Sequence, residues 1–111
     1  MIKRFIVSLL LYTASSTSWS SNIYTTIDAI TIAESMMLIY IFPTGGITSP
    51  PACHGSNGDY YSISMTRPLA NKLLDALLSA QAHNVRLSFT GAGDCIDQSV
   101  SETLDYFTIT E

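Results

Sequence analysis

The sequence predicts a small, mainly β domain with one helix, and two observations support this fold class. The first is the stretch 67–83, in which apolar residues recur at helical spacing and the other positions are polar. The second is that the segments around it are short runs rich in β-branched and aromatic residues, separated by turn-forming residues. A chain of 111 residues has the length of one domain.

The first twenty residues have the order of a secretory signal peptide. Two cations precede an apolar run over 5–12, and small polar residues follow it. The run is far shorter than the roughly 20 residues that span a bilayer. Ser18 and Ser20 are small residues at the positions that a cleavage after Ser20 requires. We therefore expect a signal peptide over 1–20 and one secreted or periplasmic domain over 21–111. A membrane-tethered or buried N-terminal segment is the alternative.

Removal of that signal would leave a strongly acidic chain. The full sequence carries five Lys and Arg against nine Asp and Glu, a net charge of −4 with neutral histidines. Lys3 and Arg4 belong to the signal, so three cations and nine acids remain, a net charge of −6. Nucleic acids and anionic membrane surfaces attract clusters of basic residues. We therefore expect neither nucleic acid nor a membrane surface as a partner, and no membrane span after cleavage.

Two strands are predicted in the first part of the domain. The run 23–32 is rich in β-branched and aromatic residues, which favour strands. A polar break over 33–35 is followed by the apolar run 36–42, whose length suits a buried strand and which Pro43 ends. We expect these two strands to pair as an antiparallel hairpin.

A long turn-rich connection over 44–59 follows the hairpin. It exceeds the usual length of connections in compact domains, so we expect it to be either functional or pinned. Cys53 lies within it, and Cys95 is the other cysteine. Two cysteines in an exported chain predict one disulfide. Closing a loop of this size is worth roughly 4 kcal/mol in the chain-entropy model. The rival interpretation is a free catalytic or metal-binding thiol.

The helix is predicted over 67–83, with Thr66 as the residue that caps its beginning. Asn84 follows, and asparagine readily takes the left-handed conformation that closes a helix. One wide arc of the helix is apolar and is expected to face the core. This arc consists of Leu69, Ala70, Leu73, Leu74, Ala76, Leu77, Leu78 and Ala80.

Three more strands surround the helix in the chain. The run 60–65 alternates and predicts a strand before the helix. The run 85–90 alternates most clearly, with Leu87 and Phe89 expected inside, and 105–110 predicts a final strand. The order is therefore β-β-β-α-β-β. Five short strands with a helix between the third and fourth match the partly open Greek-key barrel called the OB fold. A simpler antiparallel sheet with a packed helix is the alternative.

No catalytic or metal-binding motif is readable in the sequence. Cys53 and His54 are adjacent, but adjacent side chains rarely point at each other, and Cys53 is expected to be oxidised. Asp94 and Asp97 do not have the spacing of a calcium loop. The zinc-type residues lack paired spacing; they are Cys53, His54, His83 and Cys95. We therefore expect no catalytic residue, no metal, no cofactor and no enzymatic activity.

The connection over 44–59 is the best candidate for a functional site. It is polar, long and tethered, as binding loops often are. Aromatic side chains beside hydroxyl and amide groups are suited to binding sugars by stacking and hydrogen bonding. The predicted ligand-binding residues are His54, Asn57, Asp59 and Tyr60.

The layout of residues 23–111 resembles the B subunits of AB5 toxins, especially those of the pertussis-like and subtilase-cytotoxin types. The shared features are a signal peptide, an OB-like strand order, one amphipathic helix after the third strand, and a disulfide. The chain is also similar to small exported proteins of unknown function that have a helix like LLDALLSAQAHNVRLSF followed by a turn with Gly and Cys. The resemblance implies a non-enzymatic, sugar-binding module that forms a ring with its helix toward the pore.

Two functions are consistent with these features. The first is a secreted binding module, glycan-binding like a toxin B subunit, for which a homo-oligomer is expected. The alternative is a periplasmic inhibitor or immunity-type protein that blocks a partner enzyme with residues 44–59, for which a monomer is expected. The partner is a glycan in the first case and a protein in the second.

Overall fold

The computed structural model describes residues 20–55 and 59–110. Most of the predicted signal peptide, and Asn57 of the predicted site, lie outside these ranges. The strands are β1 (Asn22–Thr25), β2 (Ile27–Ala33), β3 (Leu38–Pro43), β4 (Tyr61–Ser64), β5 (Leu87–Gly91) and β6 (Leu104–Ile109). The helix α1 (Ala70–Ala82) lies between β4 and β5, and a short 3-10 helix (Glu34–Met36) joins β2 to β3. The predicted class, mainly β with one helix, is confirmed.

The strands form two antiparallel three-stranded sheets, with the orders β1-β5-β6 and β2-β3-β4. The predicted hairpin is confirmed, since β2 pairs with β3. The prediction of five strands is wrong, because the first predicted strand, 23–32, is two strands that belong to different sheets and are separated at Thr26. The sequence does not reveal this break, since residues on both sides of Thr26 favour strands equally.

The two sheets approach each other where β4 meets the segment before β6. An isolated parallel bridge joins Ser62 to Thr103, and the Ser62 N–H donates to the Glu102 carbonyl at 3.0 Å. The strands in the described part of the chain do not close into a barrel.

The hydrophobic core lies between the sheets and under the helix. Leu87 and Phe89 are fully buried in it, as their alternation predicts. The rings of Tyr61 and Phe89 stack across the core with their centroids 5.9 Å apart. Other fully buried apolar residues of the core are Ile39, Ile41, Ile63 and Leu77.

The helix buries a narrower face than its sequence predicts. Ala70, Leu77 and Ala80 are buried, whereas Leu69 is 63% exposed and Leu78 is 40% exposed. The reason is that α1 packs mainly against β2 and contributes Leu77 and Ala80 to the core, so the edges of its apolar arc remain in solvent. Within the described residues, no helix is both long and apolar enough to cross a membrane.

The beginning of the helix differs from the prediction, whereas the residue that closes its end agrees with it. The residue preceding its first turn is Leu69, and no side chain caps it. Thr66 is therefore not the cap; its hydroxyl pairs with the Ser64 hydroxyl at 2.7 Å. Asn84 takes the left-handed conformation with φ of 55°, as predicted.

Candidate functional site

The disulfide between Cys53 and Cys95 is present, with the two Cα atoms 6.1 Å apart. The prediction is confirmed, and the described residues contain no free cysteine. The bond attaches the connection over 44–59 to the segment that follows β5. A backbone hydrogen bond from Gly55 N to the Val100 carbonyl, 2.8 Å long, extends this attachment.

His54 supports the fold from within this attachment. Its Nδ1 accepts a hydrogen bond from the Glu102 backbone N–H at 2.9 Å. A nitrogen that accepts a hydrogen bond carries no proton, so the proton of the neutral ring is on Nε2. Nε2 is buried and has no partner among the described residues. His54 therefore serves as an acceptor for a backbone group that would otherwise be unsatisfied.

We expect His54→Ala to lower the free energy of unfolding by roughly 1–3 kcal/mol, because the Glu102 N–H would lose its acceptor in a buried position. Urea unfolding of the oxidised protein measures this. His83→Ala is the matched control, since His83 is exposed at the end of α1 and should change stability by less than about 0.5 kcal/mol. Equal effects of the two substitutions would contradict the role of His54.

The other predicted site residues have dissimilar surroundings. Asp59 is exposed and lies against Gly46, where an added Cβ would come within 2.6 Å of its Oδ2. Tyr60 is buried, and its hydroxyl donates to Gln98 Oε1 at 2.8 Å. Asn57 is not among the described residues. The assignment of His54, Asn57, Asp59 and Tyr60 as ligand-binding residues stays a prediction. In the structure, His54 and Tyr60 also form hydrogen bonds within the fold, with the Glu102 N–H and with Gln98.

Tyr60 belongs to a cluster of aromatic rings on the outer face of the β2-β3-β4 sheet. Tyr40 and Phe42 lie two residues apart on β3 and therefore project to the same face. The ring centroid of Tyr60 is 4.7 Å from that of Tyr40 and 5.2 Å from that of Phe42. Tyr40 and Phe42 are half-buried, so both present part of their surface to solvent.

The amide of Gln98 connects two of these rings. Its Oε1 accepts from the Tyr60 hydroxyl, and its Nε2 donates to the Tyr40 hydroxyl at 3.0 Å. An amide nitrogen has two hydrogens, and among the described residues the one acceptor for Gln98 Nε2 is the Tyr40 hydroxyl, which leaves its second hydrogen for another acceptor. We call Tyr40, Phe42, Tyr60 and Gln98 the aromatic platform.

The segment that carries Gln98 is fastened along β4. The Ser101 hydroxyl donates to the Tyr60 carbonyl at 2.7 Å, and the Asp97 carboxylate accepts from the Ser64 N–H at 2.7 Å. Arg67 forms an ion pair with Asp97 at 3.6 Å. These contacts hold the Gln98 amide against the rings of Tyr40 and Tyr60.

The phenol of Tyr60 stays protonated over the neutral range. Burial raises its pKa above the ordinary value of 10, the neighbouring Tyr40 hydroxyl adds to the rise, and the hydrogen bond with Gln98 opposes it. Tyr60 therefore remains the donor to Gln98 Oε1, and Gln98 Nε2 donates to the Tyr40 hydroxyl.

A second polar cluster is fully buried between β1, β4 and β6. The carboxylate of Glu102 accepts from the Ser21 N–H at 3.2 Å, from the Ser21 hydroxyl at 2.7 Å and from the Gly93 N–H at 3.0 Å. The Tyr61 hydroxyl bonds the Ser21 hydroxyl. Since the Ser21 hydrogen is directed at Glu102, Tyr61 is the donor of that pair. Glu102, Ser21 and Tyr61 are each at most 1% exposed.

Because of Tyr61, the stability of the folded protein depends on pH in the alkaline range. Burial raises the pKa of Tyr61 from 10 to about 12, the hydrogen bond with Ser21 opposes the rise, and the charge of Glu102 adds to it. The unfolded chain releases this proton near pH 10 while the folded chain keeps it. The protonated Tyr61 therefore contributes its full share to the free energy of unfolding below pH 10, and this contribution is lost as the pH rises toward 12.

We expect the free energy of unfolding to fall by roughly 2–3 kcal/mol between about pH 10 and pH 12 on account of Tyr61. Urea unfolding across this range measures the fall. Tyr61→Phe should lack this part of the dependence. The same pH slope in both proteins would contradict the assignment.

Little in the sequence indicates these two clusters. Tyr40 and Phe42 are two residues apart in an apolar run, which is the one readable sign of a shared face. Gln98, Glu102 and Ser21 lie in irregular segments without periodicity. In the described ranges, no group of three or more His, Cys, Asp and Glu residues is placed to hold a metal ion.

Comparison with known proteins does not supply a family. The chain matches no protein-family model, and no curated protein and no solved structure is similar to it at a significant level.

Proposed function

We propose that the protein is an exported, non-enzymatic binding module that recognises glycans through the aromatic platform. The observation that carries this proposal is the pair of half-buried rings of Tyr40 and Phe42, held beside the amide of Gln98. The apolar faces of sugar rings pack on aromatic side chains, and a few fixed polar groups orient the ligand. The free amide hydrogen of Gln98 would bond a sugar hydroxyl. The Tyr40 hydroxyl would contact a second one.

The proposed export has two supports. One is the signal-like sequence over 1–20. The other is the disulfide between Cys53 and Cys95, which is typical of oxidising compartments outside the cytosol.

We further propose that the two sheets make an open, OB-like barrel. If β1 and β2 are counted as one bent strand, the neighbours around the barrel run β2-β3-β4-β6-β5-β1. Among the described residues, the one parallel pairing is the bridge between Ser62 of β4 and Thr103, which immediately precedes β6. A helix after the third strand and a five-stranded order of this kind are what the resemblance to toxin B subunits implies.

A homo-oligomer belongs to the same proposal. Leu69 and Tyr106 are both more than half exposed and line a groove of about 360 Å³ between the start of α1 and β6. Light scattering after gel filtration measures the mass in solution. A mass of several chains supports a ring, and a monomer contradicts it without affecting the platform.

The experiment on the platform compares Tyr40→Ala with the wild type on a glycan array, followed by calorimetric titration with the best ligand. We expect Tyr40→Ala to weaken binding at least about tenfold, which corresponds to about 1.4 kcal/mol. The matched control is Tyr24→Ala, which removes an exposed tyrosine from β1 in the other sheet and should bind normally. Far-ultraviolet circular dichroism checks that both variants are folded.

Two outcomes would contradict glycan recognition by the platform. One is a wild type that retains no glycan on the array. The other is a folded Tyr40→Ala protein that binds as well as the wild type. The same array with His54→Ala tests the part of the predicted site that lies in the connection over 44–59.

The second candidate is an inhibitor or immunity-type protein, and the connection over 44–59 favours it. Thr48, Ser49 and Pro50 are exposed, and Ser49 has a φ of 55° in the left-handed region. The disulfide at Cys53 attaches this connection to the domain, so an enzyme would meet an exposed segment with a fixed anchor. A monomer without affinity for glycans, combined with tight one-to-one binding of a periplasmic enzyme, would favour this candidate.

A further inference from the structure

We propose that cleavage after Ser20 creates the counter-ion of the buried Glu102 carboxylate, namely the α-ammonium group of Ser21. This inference assigns a specific processing site and gives the mature N-terminus a role in the fold. It rests on the proposed export of the chain and not on glycan binding.

The first step of the argument is the absence of a cation beside Glu102. The carboxylate is 0% exposed, and its partners are Ser21 and the Gly93 N–H. Among residues 20–55 and 59–110, the one ion pair is that of Arg67 with Asp97. Burying a carboxylate without a cation is strongly unfavourable, whereas pairing and hydrogen bonding offset that cost.

The second step is the position of Ser21. Its backbone nitrogen lies 3.2 Å from Glu102 Oε2, its hydroxyl contacts both Glu102 and Tyr61, and its carbonyl accepts from the Gly91 N–H at 2.9 Å. Ser21 is 1% exposed, whereas Ser20 is exposed. The chain therefore passes from solvent into the core at the bond between these two residues.

The third step is the chemistry of cleavage at that bond. A signal peptidase hydrolyses the amide, so that water supplies the hydroxyl of the new Ser20 carboxyl group and a proton to the Ser21 nitrogen. The resulting α-amine carries a positive charge at neutral pH. The contact between Ser21 N and Glu102 Oε2 then becomes a charge-assisted pair, which is stronger than a bond from a neutral amide.

The fourth step is that cleavage at either neighbouring peptide bond would not place an α-ammonium group beside Glu102. Cleavage one residue earlier would move the charge by about 3.8 Å along the chain, to the exposed Ser20. Cleavage one residue later would remove Ser21, so that Tyr61 would lose its acceptor and the Glu102 carboxylate would keep only the Gly93 N–H among its described partners. The sequence pattern allows cleavage after Ser20, and the buried cluster selects that bond.

The first experiment expresses the full-length gene in a secreting bacterium and measures the intact mass of the protein recovered from the periplasm. We expect a chain that begins at Ser21 and contains the disulfide. An unprocessed chain in the cytoplasm would overturn the proposed export. An exported chain that begins at another residue would overturn this inference alone.

The second experiment is a double-mutant cycle on chains that begin at either Ser20 or Ser21, released from an N-terminal fusion by a protease. Adding Ser20 should lower the melting temperature of the protein with Glu102 by about 5 °C, since the charge leaves the cluster. The same extension should have little effect in the Glu102→Gln background. Equal shifts in the two backgrounds would overturn the ion pair.

A third measurement applies even if Glu102→Gln does not fold. The α-amine of the folded chain that begins at Ser21 should react with an acylating reagent at least about tenfold more slowly than the amine of the urea-unfolded chain, because it is buried and paired. Equal rates would overturn the inference. The folded chain that begins at Ser20 is the control, since its amine is exposed.

Discussion

Replacing Cys53 and Cys95 together by serine is expected to lower the free energy of unfolding by about 4 kcal/mol. The two cysteines are 42 positions apart, so the disulfide closes a long loop and restricts the unfolded chain strongly. Small domains have a total stability of the order of 5–15 kcal/mol, so the loss would be a large fraction of it. Urea unfolding monitored by far-ultraviolet circular dichroism gives the midpoint of the transition and the dependence of the unfolding free energy on urea concentration. Substituting both residues avoids a leftover thiol.

Reduction supplies the control for this prediction. Adding a thiol reductant to the wild type should reproduce the loss, while the double variant should not respond to the reductant. Oxidised wild type and double variant with the same midpoint would show that the disulfide contributes nothing to stability. A shift in the double variant on reduction would indicate an effect of the reductant itself.

Gly91→Ala is expected to lower the free energy of unfolding by about 3 kcal/mol. A Cβ at this position of β5 would overlap the carboxylate of Glu102. The carboxylate cannot move aside, because Ser21 and Gly93 hold it in a fully buried position. The variant must therefore either displace β5 from β6 or break buried hydrogen bonds to the carboxylate.

Gly55→Ala is the matched control for that substitution. A Cβ at Gly55 would meet the Val100 carbonyl oxygen at 3.5 Å, an ordinary contact, and Gly55 does not need a left-handed backbone. Its stability should change by less than about 1 kcal/mol. If Gly91→Ala unfolds at the same urea concentration as Gly55→Ala, the close approach of Glu102 to β5 is not a constraint on the fold.

Elements that depend on neighbouring residues were predictable from the sequence. The strand around Leu87 and Phe89 follows from alternation, and the helix follows from its apolar arc. The disulfide follows from the presence of two cysteines in a chain that the sequence predicts to be exported. The strand and the helix are predicted from patterns within one segment. The disulfide is predicted because a chain with two cysteines has one possible pairing.

Features that depend on distant residues were not predictable. The division of the first strand at Thr26 is set by the pairing of β1 with β5, which local composition does not encode. Gln98 joins the aromatic platform because Asp97 and Ser101 fasten its segment to β4. In an acidic sequence, Glu102 would be predicted to lie on the surface. Its burial instead depends on hydrogen bonds from Ser21, 81 positions earlier in the chain.

The change of sheet at Thr26 has a consequence for the order in which the protein folds. The sheet β2-β3-β4 joins strands that are near one another in the chain, whereas β1 pairs with residues 87–90. Contacts between distant residues form late, because closing long loops is entropically unfavourable. In a chain that crosses a membrane from its N-terminus, β1 stays unpaired until most of the sequence has emerged. If the chain is exported as proposed, the peptide bond before Ser21 would stay accessible to a protease during that interval, and the pairing of β1 with β5 would then bury it.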